Sequence, residues 1–333
     1  MTRTRVSLGH NIIVELGATR FALDPREPTR ADYTFVSHAH MDHVEAPHPK
    51  TKVLASDQTV VLARARGVEL APNWGKPQEG VSLLDSGHIL GARALCIEDE
   101  VLYTGDAAGR ERAFMGKCRT KKAKVLITET TFGDPRYVFP PLDQTLKLVN
   151  EMIARAFDRG RPVVLMGYPL GKSQILSYLF SSWTPFFVHE SVARMNRIYV
   201  DSGVPLKGEA KAIDRSLEGL PQGPWVLVSP MMSSRNGLAV RLKKEHGAVL
   251  AAFSGWAMGR GYREYLGADY SFPLSDHCDF SELLHLVEDV SPEVVYTTHG
   301  FTKEFARTLR HEGFDAKPLD DYQSALSDYH VDA

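Results

Sequence analysis

A dense group of histidines near the start of the chain contains residue types that bind metal ions. The stretch FVSHAHMDHVEAPHP places three of the chain's 13 histidines, His38, His40 and His43, within six positions, with Asp42 among them. Imidazole nitrogens and carboxylate oxygens are common ligands of zinc in catalytic sites. The residue types and their spacing therefore predict a metal site rather than a polar surface loop.

The order of these side chains favours two metal ions over one. Residues two apart on an extended segment point the same way, so we expect His38 and His40 to face one ion. Asp42 and His43 are adjacent and are expected to point apart, which directs one of them towards a second ion. Further candidate ligands follow apolar, strand-like runs elsewhere in the chain: His88, Asp106 and His299.

Asp106, in the stretch LYTGD, is the candidate for a carboxylate that bridges the two ions. Such a bridge holds two cations about 3.5–4 Å apart. Nitrogen and carboxylate ligands fit Zn²⁺, with Mn²⁺ as the alternative. Taken alone, His88 could equally be a turn residue, and His299 would be interpreted as a residue without a ligand role. It is the complete set that indicates a two-metal site.

Composition and charge limit the classes of function. The 333 residues carry a formal net charge of −2, so a site for a polyanion must be a local patch, helped by bound cations. Three scattered cysteines form neither a disulfide framework nor a zinc knuckle, which is typical of a reducing compartment. No stretch approaches the roughly 20 apolar residues of a membrane span, and the start lacks the features of a signal peptide. We therefore expect a cytoplasmic protein that does not bind membranes.

Short strands are expected to position the candidate ligands. Residues 1–140 consist mainly of short strand-like runs, including a hairpin about Gly17, and the ligands fall at strand ends. Residues 141–256 alternate strand, loop and helix, which is typical of a parallel sheet covered by helices. Residues 257–333 then give helix, strand and helix. If this last part joins the first, the middle block is an inserted domain.

A glycine-rich stretch, MGYPLGKS, invites comparison with a nucleotide-binding loop. Three residues separate Gly167 and Gly171, whereas the P-loop requires four, so ATP binding is excluded. Lys172 and Ser173 open a predicted helix, and helix N-termini bind phosphates. Arg235, in SPMMSSRNG, is a similar candidate for substrate phosphate. Simple helix capping is an equal alternative at both places.

These motifs together resemble the metallo-β-lactamase superfamily. SHAHMDH resembles its HxHxDH signature, SGHILGA its next histidine motif and LYTGD its bridging aspartate. ITETTFGDP, LSDHCDF and YTTHG resemble the acidic motif and the two later histidine motifs of the β-CASP branch, whose members cut nucleic acids. The motifs cover both ends of the chain in the family's order.

The resemblance implies an α/β fold, a metallo-β-lactamase αββα sandwich with an inserted α/β β-CASP domain. It also divides the metal ligands into two sets: His38, His40 and His88 for one ion, Asp42, His43 and His299 for the other, and Asp106 for both. Asp42 and Asp106 are therefore also counted among the catalytic residues.

Two more catalytic residues follow from the β-CASP resemblance. Glu129 would orient His277 by a hydrogen bond, as carboxylates do for imidazoles near metal ions. His277 would then face the scissile phosphate and protonate the leaving oxygen. Without the resemblance, Glu129 could be a strand-end acid in solvent and His277 a residue at a helix start.

The substrate implied by the resemblance is DNA, with RNA as the alternative. ETTFGDPRYVFP, PLGKSQ and FSGWA resemble Artemis-like and ligase-associated DNA exonucleases, which implies 5′–3′ trimming in DNA repair and functional partnership with a DNA ligase. His299 weakens this interpretation, because Artemis-type eukaryotic enzymes usually carry valine there, whereas RNA-processing enzymes carry histidine. The ligase-associated group also carries histidine. The inserted domain argues against a small-molecule hydrolase, and the complete ligand set against an inactive scaffold.

Overall fold

The structure, a computed structural model, describes residues 4–8, 11–70, 79–206 and 210–319. These residues divide into two compact units. The first unit takes its described residues from 4–111, 115–135 and 277–319, and the second takes them from 112–114 and 136–276. Most of the second unit is therefore inserted between two segments of the first unit's chain.

Seventeen strands and eight α-helices are assigned within the described residues. The N-terminal part contains β1 (Thr4–Leu8), β2 (Ile12–Leu16), β3 (Thr19–Leu23), β4 (Tyr33–Phe35), β5 (Lys52–Leu54), α1 (Asp57–Ala65), β6 (Val81–Asp85), β7 (Arg93–Ile97), β8 (Val101–Tyr103) and β9 (Val125–Thr130). The middle part contains α2 (Leu142–Phe157), β10 (Val163–Gly167), α3 (Lys172–Phe180), β11 (Phe186–His189), α4 (Glu190–Asp201), β12 (Lys211–Ile213), β13 (Val226–Pro230), α5 (Gly237–His246), β14 (Val249–Phe253), α6 (Tyr262–Leu266) and β15 (Tyr270–Phe272). The C-terminal part contains α7 (Phe280–Val290), β16 (Val294–Gly300), α8 (Thr302–His311) and β17 (Ala316–Pro318).

The first unit contains two sheets. One has the strand order β1-β2-β3-β4-β5, and the other has the order β17-β16-β9-β8-β7-β6. β2 and β3 pair antiparallel, with Leu16 opposite Thr19, which confirms the hairpin predicted about Gly17. Gly17 itself adopts the positive φ of 61° that such a tight turn needs.

Alternation along β7 shows how the first unit is layered. Leu95 and Ile97 belong to the apolar core that the two sheets share, where Phe21 of the first sheet also packs. Ala94 and Cys96, which point to the opposite face, belong to a second core formed with apolar residues of α7 and α8. The unit is therefore a two-sheet sandwich with helices on the outer face of the second sheet.

The second unit is built on one six-stranded sheet with the order β12-β11-β13-β10-β14-β15, in which every pairing is parallel. All five residues of β10 are buried, as expected for a strand covered on both faces. The apolar stripe of α2, including Met152 and Ile153, packs into this core. The predicted α/β fold with an inserted α/β domain is confirmed.

The second unit extends further along the chain than the predicted inserted domain, 141–256. β15 pairs in parallel with β14, with Tyr270 opposite Ala251, so the segment up to Asp276 belongs to the second unit. Across the described residues, no helix has the length and apolar character needed to cross a membrane.

Candidate metal centre

The candidate ligands lie at strand ends within the first unit. β8, β9 and β16 run parallel, so the residues at or just after their carboxyl ends share one edge of the second sheet. Asp106 follows β8, Glu129 lies near the end of β9 and His299 lies near the end of β16. The histidine-rich stretch 38–43 follows β4 of the first sheet. Ligands commonly bind beyond the carboxyl ends of parallel strands.

Three histidines lie together beside Asp106, with the ligand atoms of all four residues within 4.8 Å of one another. His40 Nδ1 lies 3.1 Å from His38 Nε2 and 3.0 Å from His88 Nε2. Asp106 Oδ2 lies 3.4 Å from His38 Nε2 and 3.5 Å from His88 Nε2. Ligand atoms that sit 2.0–2.1 Å from a tetrahedral zinc ion are about 3.3 Å apart. The spacing of this group therefore fits an ion of that size.

The other oxygen of Asp106 faces a second group. Its Oδ1 lies 3.4 Å from His43 Nε2, which in turn lies 3.7 Å from Asp42 Oδ2. The rings of His43 and His299 have their centroids 4.9 Å apart. The two oxygens of one carboxylate thus face two separate groups of candidate ligands, which is the arrangement that a carboxylate bridging two ions needs.

Burial sets the charge of these groups. Burial, together with neighbouring His43, lowers the pKa of His299 to about 4 and lowers the pKa of His38 well below its usual value. Burial alone would lower the pKa of His43, but the carboxylates of Asp106 and Asp42 raise it to about 10. Burial also raises the pKa of Asp106. His38 and His299 are therefore neutral, as metal ligation requires, whereas His43 would have to release a proton in order to bind an ion.

A β-bulge positions His299. The pairing of β16 with β9 shifts register between Thr298 and Gly300, and His299 has a left-handed φ of 56°. The Thr130 hydroxyl donates a hydrogen bond of 2.6 Å to the His299 carbonyl. A Cβ at Gly300 would lie 2.5 Å from the Thr130 carbonyl oxygen, so a side chain there would disrupt the bulge. Bulges and left-handed residues are frequent at functional sites, where they aim a side chain.

Asp24 also belongs to the site, although no motif in the sequence indicates it. Its carboxylate accepts hydrogen bonds from the Ser37 backbone N–H at 2.6 Å, the Ser37 hydroxyl at 2.6 Å and the Tyr103 hydroxyl at 2.8 Å. Its Oδ2 also lies 3.0 Å from His43 Nδ1. This contact keeps the proton of the neutral imidazole on Nδ1 and leaves Nε2 for a metal ion. The signal in the sequence, a single acid in FALDP, is equally typical of a turn.

Glu129 and His277 form a partly buried pair beside the ligand groups. His277 Nδ1 lies 3.0 Å from each carboxylate oxygen of Glu129 and 4.0 Å from Asp106 Oδ2. Glu129 is fully buried and also accepts hydrogen bonds from the N–H groups of Ala107 and Thr131. Burial would raise the pKa of Glu129, but His277 lowers it below its usual value. The ionised carboxylate therefore orients the imidazole through Nδ1, and the His277 side chain keeps 19% of its surface exposed.

Lys172 and Ser173 of the second unit are buried. The Lys172 ammonium donates to Asp276 Oδ1 at 2.6 Å and to the Leu274 carbonyl at 3.0 Å, and the residue is 2% exposed. The Ser173 hydroxyl donates to the Gly167 carbonyl at 3.4 Å. The ammonium is thus engaged within its own unit, and the predicted phosphate contact by these two residues gains no support from their geometry.

Two backbone N–H groups at the start of α3 likewise have partners within the second unit. The Gly171 N–H donates to the Gln174 side chain at 2.7 Å, and the Ser173 N–H donates to the Tyr168 carbonyl at 3.1 Å. This helix start therefore fits simple capping, the alternative to a phosphate contact that the sequence also allowed. Arg235 differs, because it is exposed and directly precedes Asn236, which caps α5 by accepting a hydrogen bond from the Leu238 N–H.

Comparison with known proteins adds to this geometry. No protein-family model matches the chain. The chain is 37% identical over 301 residues to a protein named probable DNA ligase from Opitutus terrae. That match covers 85% of the chain but 28% of the Opitutus protein, so the chain spans less than a third of that relative's length.

Two more distant relatives match most of the chain. The DNA cross-link repair protein SNM1 of Arabidopsis thaliana is 26% identical, over 79% of the chain and 60% of that protein. An RNase J-like protein of Methanocaldococcus jannaschii is 21% identical, over 81% of each protein. The chain is therefore similar both to a protein named for DNA repair and to one named for a ribonuclease.

Proposed function

The chain belongs to the metallo-β-lactamase superfamily, in its β-CASP branch, and we propose that it is a nuclease that hydrolyses phosphodiester bonds with two divalent metal ions. The proposed metals are Zn²⁺, with Mn²⁺ as the alternative. The observation that carries the proposal is Asp106, whose two oxygens lie 3.4 Å from a nitrogen of each histidine group. The proposed ligands are the seven predicted from the sequence: His38, His40, Asp42, His43, His88, Asp106 and His299.

The residues around the ligands fit phosphodiester hydrolysis. Two divalent ions, when bound, lower the pKa of a water molecule and neutralise charge on the phosphate oxygens. Glu129 accepts a hydrogen bond from the Nδ1–H of His277, so Nε2 is the nitrogen that can donate a proton to the leaving oxygen. Proton donation of this kind contributes roughly 10²–10⁴-fold to a rate. His277 is 19% exposed, which fits a side chain that must meet a substrate.

DNA is the proposed substrate, and 5′–3′ exonucleolytic trimming in DNA repair is the proposed mode. Support comes from the names of two relatives, a probable DNA ligase and a DNA cross-link repair protein. The same similarity supports a functional partnership with a DNA ligase. His299 and the more distant RNase J-like relative favour the alternative, an RNA-processing nuclease.

The test uses one sequence prepared as single-stranded DNA, blunt duplex DNA and RNA, each labelled at the 5′ end or the 3′ end. The protein is stripped of metal with a chelator and reloaded separately with Zn²⁺ or Mn²⁺. Stepwise loss of single nucleotides from the 5′ end of DNA supports the proposal. The Asp106→Asn variant is the control for a contaminating nuclease and should be inactive on every substrate.

Two other outcomes separate the alternatives. Cleavage of RNA in preference to DNA of the same sequence would replace the proposal by the RNA-processing alternative. Failure to cut any nucleic acid, in protein that holds two metal equivalents, would exclude nuclease function altogether.

A further inference from the structure

A short exposed segment between Asp106 and β9 is rich in positive charge. Residues 117–124 include five basic side chains: Lys117, Arg119, Lys121, Lys122 and Lys124. All five are exposed, and the chain forms neither helix nor strand between Gly116 and Ala123. Such a concentration is unusual in a chain whose formal net charge is −2. The proposed ligands and catalytic residues include none of these five.

Four of the five charges are not neutralised by nearby carboxylates. Lys124 Nζ lies 2.5 Å from Glu100 Oε1 and is paired. For the other four, here called the basic strip, no carboxylate lies within ion-pair distance among the residues that the structure describes. The basic strip consists of four residues: Lys117, Arg119, Lys121 and Lys122.

One end of the basic strip borders an open cleft of about 430 Å³ on the first unit. Lys117 and Arg119 are among the residues that line the cleft, and the acidic residues of its lining are Glu282 and Asp289 of α7. Glu282 is already paired, because its Oε1 lies 2.5 Å from Arg110 Nε. Asp289 therefore offsets a minority of the strip's charge, and the surface remains attractive to anions.

Backbone hydrogen bonds fix the basic strip to the loops of the metal centre. The Cys118 N–H donates to the Ala108 carbonyl at 2.7 Å, and Ala108 lies two residues after Asp106. The Arg119 N–H donates to the Asp85 carbonyl at 2.8 Å. Asp85 begins the loop that leads to His88, a proposed ligand. The backbone of the basic strip is thus hydrogen-bonded to the segment that follows Asp106 and to the segment that precedes His88.

Gly87 allows the loop before His88 to pack closely against the backbone of Gly116 and Cys118. It directly precedes His88, and a Cβ at this position would lie 2.8 Å from the Cys118 nitrogen and 2.8 Å from the Gly116 carbonyl oxygen. The segment that begins the basic strip therefore packs backbone against backbone on the loop of a proposed ligand. A nucleic-acid strand bound to the basic strip would therefore lie at a defined place relative to the metal centre.

We propose that the basic strip binds the sugar–phosphate backbone of the DNA substrate next to the metal centre. The inference rests on the proposed nuclease function and adds to it a binding surface outside the reacting residues. Lysine and arginine contacts to phosphates position a nucleic acid without reading its bases. Binding through such contacts releases counterions, so affinity falls as salt rises, by about 0.7 in logarithmic slope per phosphate contacted on a single strand.

The test compares two fourfold variants with the same change in net charge. The strip variant is Lys117→Gln, Arg119→Gln, Lys121→Gln and Lys122→Gln. The control variant removes four exposed charges from scattered places: Lys50→Gln, Arg159→Gln, Lys244→Gln and Arg307→Gln. Fluorescence anisotropy with the metal-loaded proteins measures binding to single-stranded DNA with phosphorothioate linkages, which resist hydrolysis, between about 50 and 200 mM salt.

The strip variant should bind DNA roughly tenfold or more weakly, with the logarithmic salt slope reduced by up to about 3, since 0.7 × 4 ≈ 2.8. The control variant should stay within about twofold of the unmodified protein. Hydrolysis of a small diester, bis(4-nitrophenyl) phosphate, should be equal in all three proteins, because the strip does not touch the reacting atoms. If the strip variant folds poorly in circular dichroism, the double variant Lys121→Gln, Lys122→Gln should show about half the loss of slope.

The experiment distinguishes failure of the basic-strip proposal from failure of the nuclease proposal. Equal DNA affinity of the strip and control variants, in a protein that does cut DNA, would overturn the role of the basic strip alone. An unmodified protein that hydrolyses neither DNA nor the small diester would instead overturn the nuclease proposal on which this inference depends.

Discussion

Glu129 and His277 are joined by a contact in which Nδ1 of the imidazole lies 3.0 Å from both carboxylate oxygens. The two residues are 148 positions apart in the chain and belong to the same unit. Because Nδ1 makes this contact, Nε2 is the imidazole nitrogen that remains to donate a proton. We therefore expect His277 to act apart from the metal ligands, although its Nδ1 lies only 4.0 Å from Asp106 Oδ2 and it could itself join Asp106 and Glu129 in holding an ion.

The first prediction tests that separation. His277→Ala should lower the rate of DNA cleavage by roughly 10²–10⁴-fold while the protein keeps its two metal equivalents, because the proton donor is removed and the ligands are not. His40→Ala should lose both activity and metal. Metal content measured by mass spectrometry on the purified proteins, beside the cleavage rate, decides the matter. Release of metal by His277→Ala would show that His277 is itself a ligand.

The second prediction concerns Asp24, which holds His43 through Nδ1 at 3.0 Å. Asp24→Asn should weaken binding of one of the two ions by roughly 10–100-fold, as loss of a carboxylate behind a ligating histidine usually does. Tyr103→Phe is the matched control, because it removes a different hydrogen bond to the same carboxylate. Metal titration against a chromogenic chelator gives both affinities. Equal weakening of both ions would indicate a general loss of structure instead.

The third prediction follows from the pKa of His43, which the carboxylates of Asp106 and Asp42 raise to about 10 despite the opposing effect of burial. In the metal-free protein this imidazole is protonated below pH 10, and an ion can bind only when the proton leaves. Affinity for the ion at His43 should therefore rise with pH across the range from about 6 to 9, by up to tenfold per pH unit. Calorimetry in two buffers of different ionisation enthalpy should show a proton released on binding. An affinity independent of pH would contradict this assignment.

Much of the candidate metal centre could be predicted from the sequence because its residues sit in short, contiguous motifs. His38, His40, Asp42 and His43 fall on one loop, where spacing alone indicates which side chains can share an ion. The insertion was also visible, since strand, loop and helix alternate along one continuous block. The spacing of ligands within one loop does not depend on contacts between distant parts of the chain.

Other features depend on tertiary contacts that spacing does not encode. Asp24 acts through Ser37, Tyr103 and His43, which only the folded sheets bring to it. The bulge at His299 arises from the pairing of β16 with β9. The unit boundary at Asp276 depends on β15, a strand of three residues that is too short to recognise from its pattern.

The position of Lys172 at a helix start predicted a phosphate contact. In the structure its ammonium is buried and lies 2.6 Å from Asp276 Oδ1, a contact that the local sequence does not indicate. The fourth prediction is therefore a loss of stability. Lys172→Met should lower the free energy of unfolding by about 3–5 kcal/mol, since removal of one partner of a buried ion pair leaves the other charge without it. Urea unfolding measures the change.

Two further variants make this last prediction specific. The double variant Lys172→Met, Asp276→Asn should recover part of the lost stability, because it also removes the buried negative charge. Lys244→Met, at an exposed lysine of α5 in the same unit, should change stability by no more than about 0.5 kcal/mol. If Lys172→Met instead leaves stability unchanged and weakens DNA binding, the ammonium contacts phosphate after all. In that case the ion pair with Asp276 opens when substrate binds, and the helix start of α3 takes the role that its sequence first suggested.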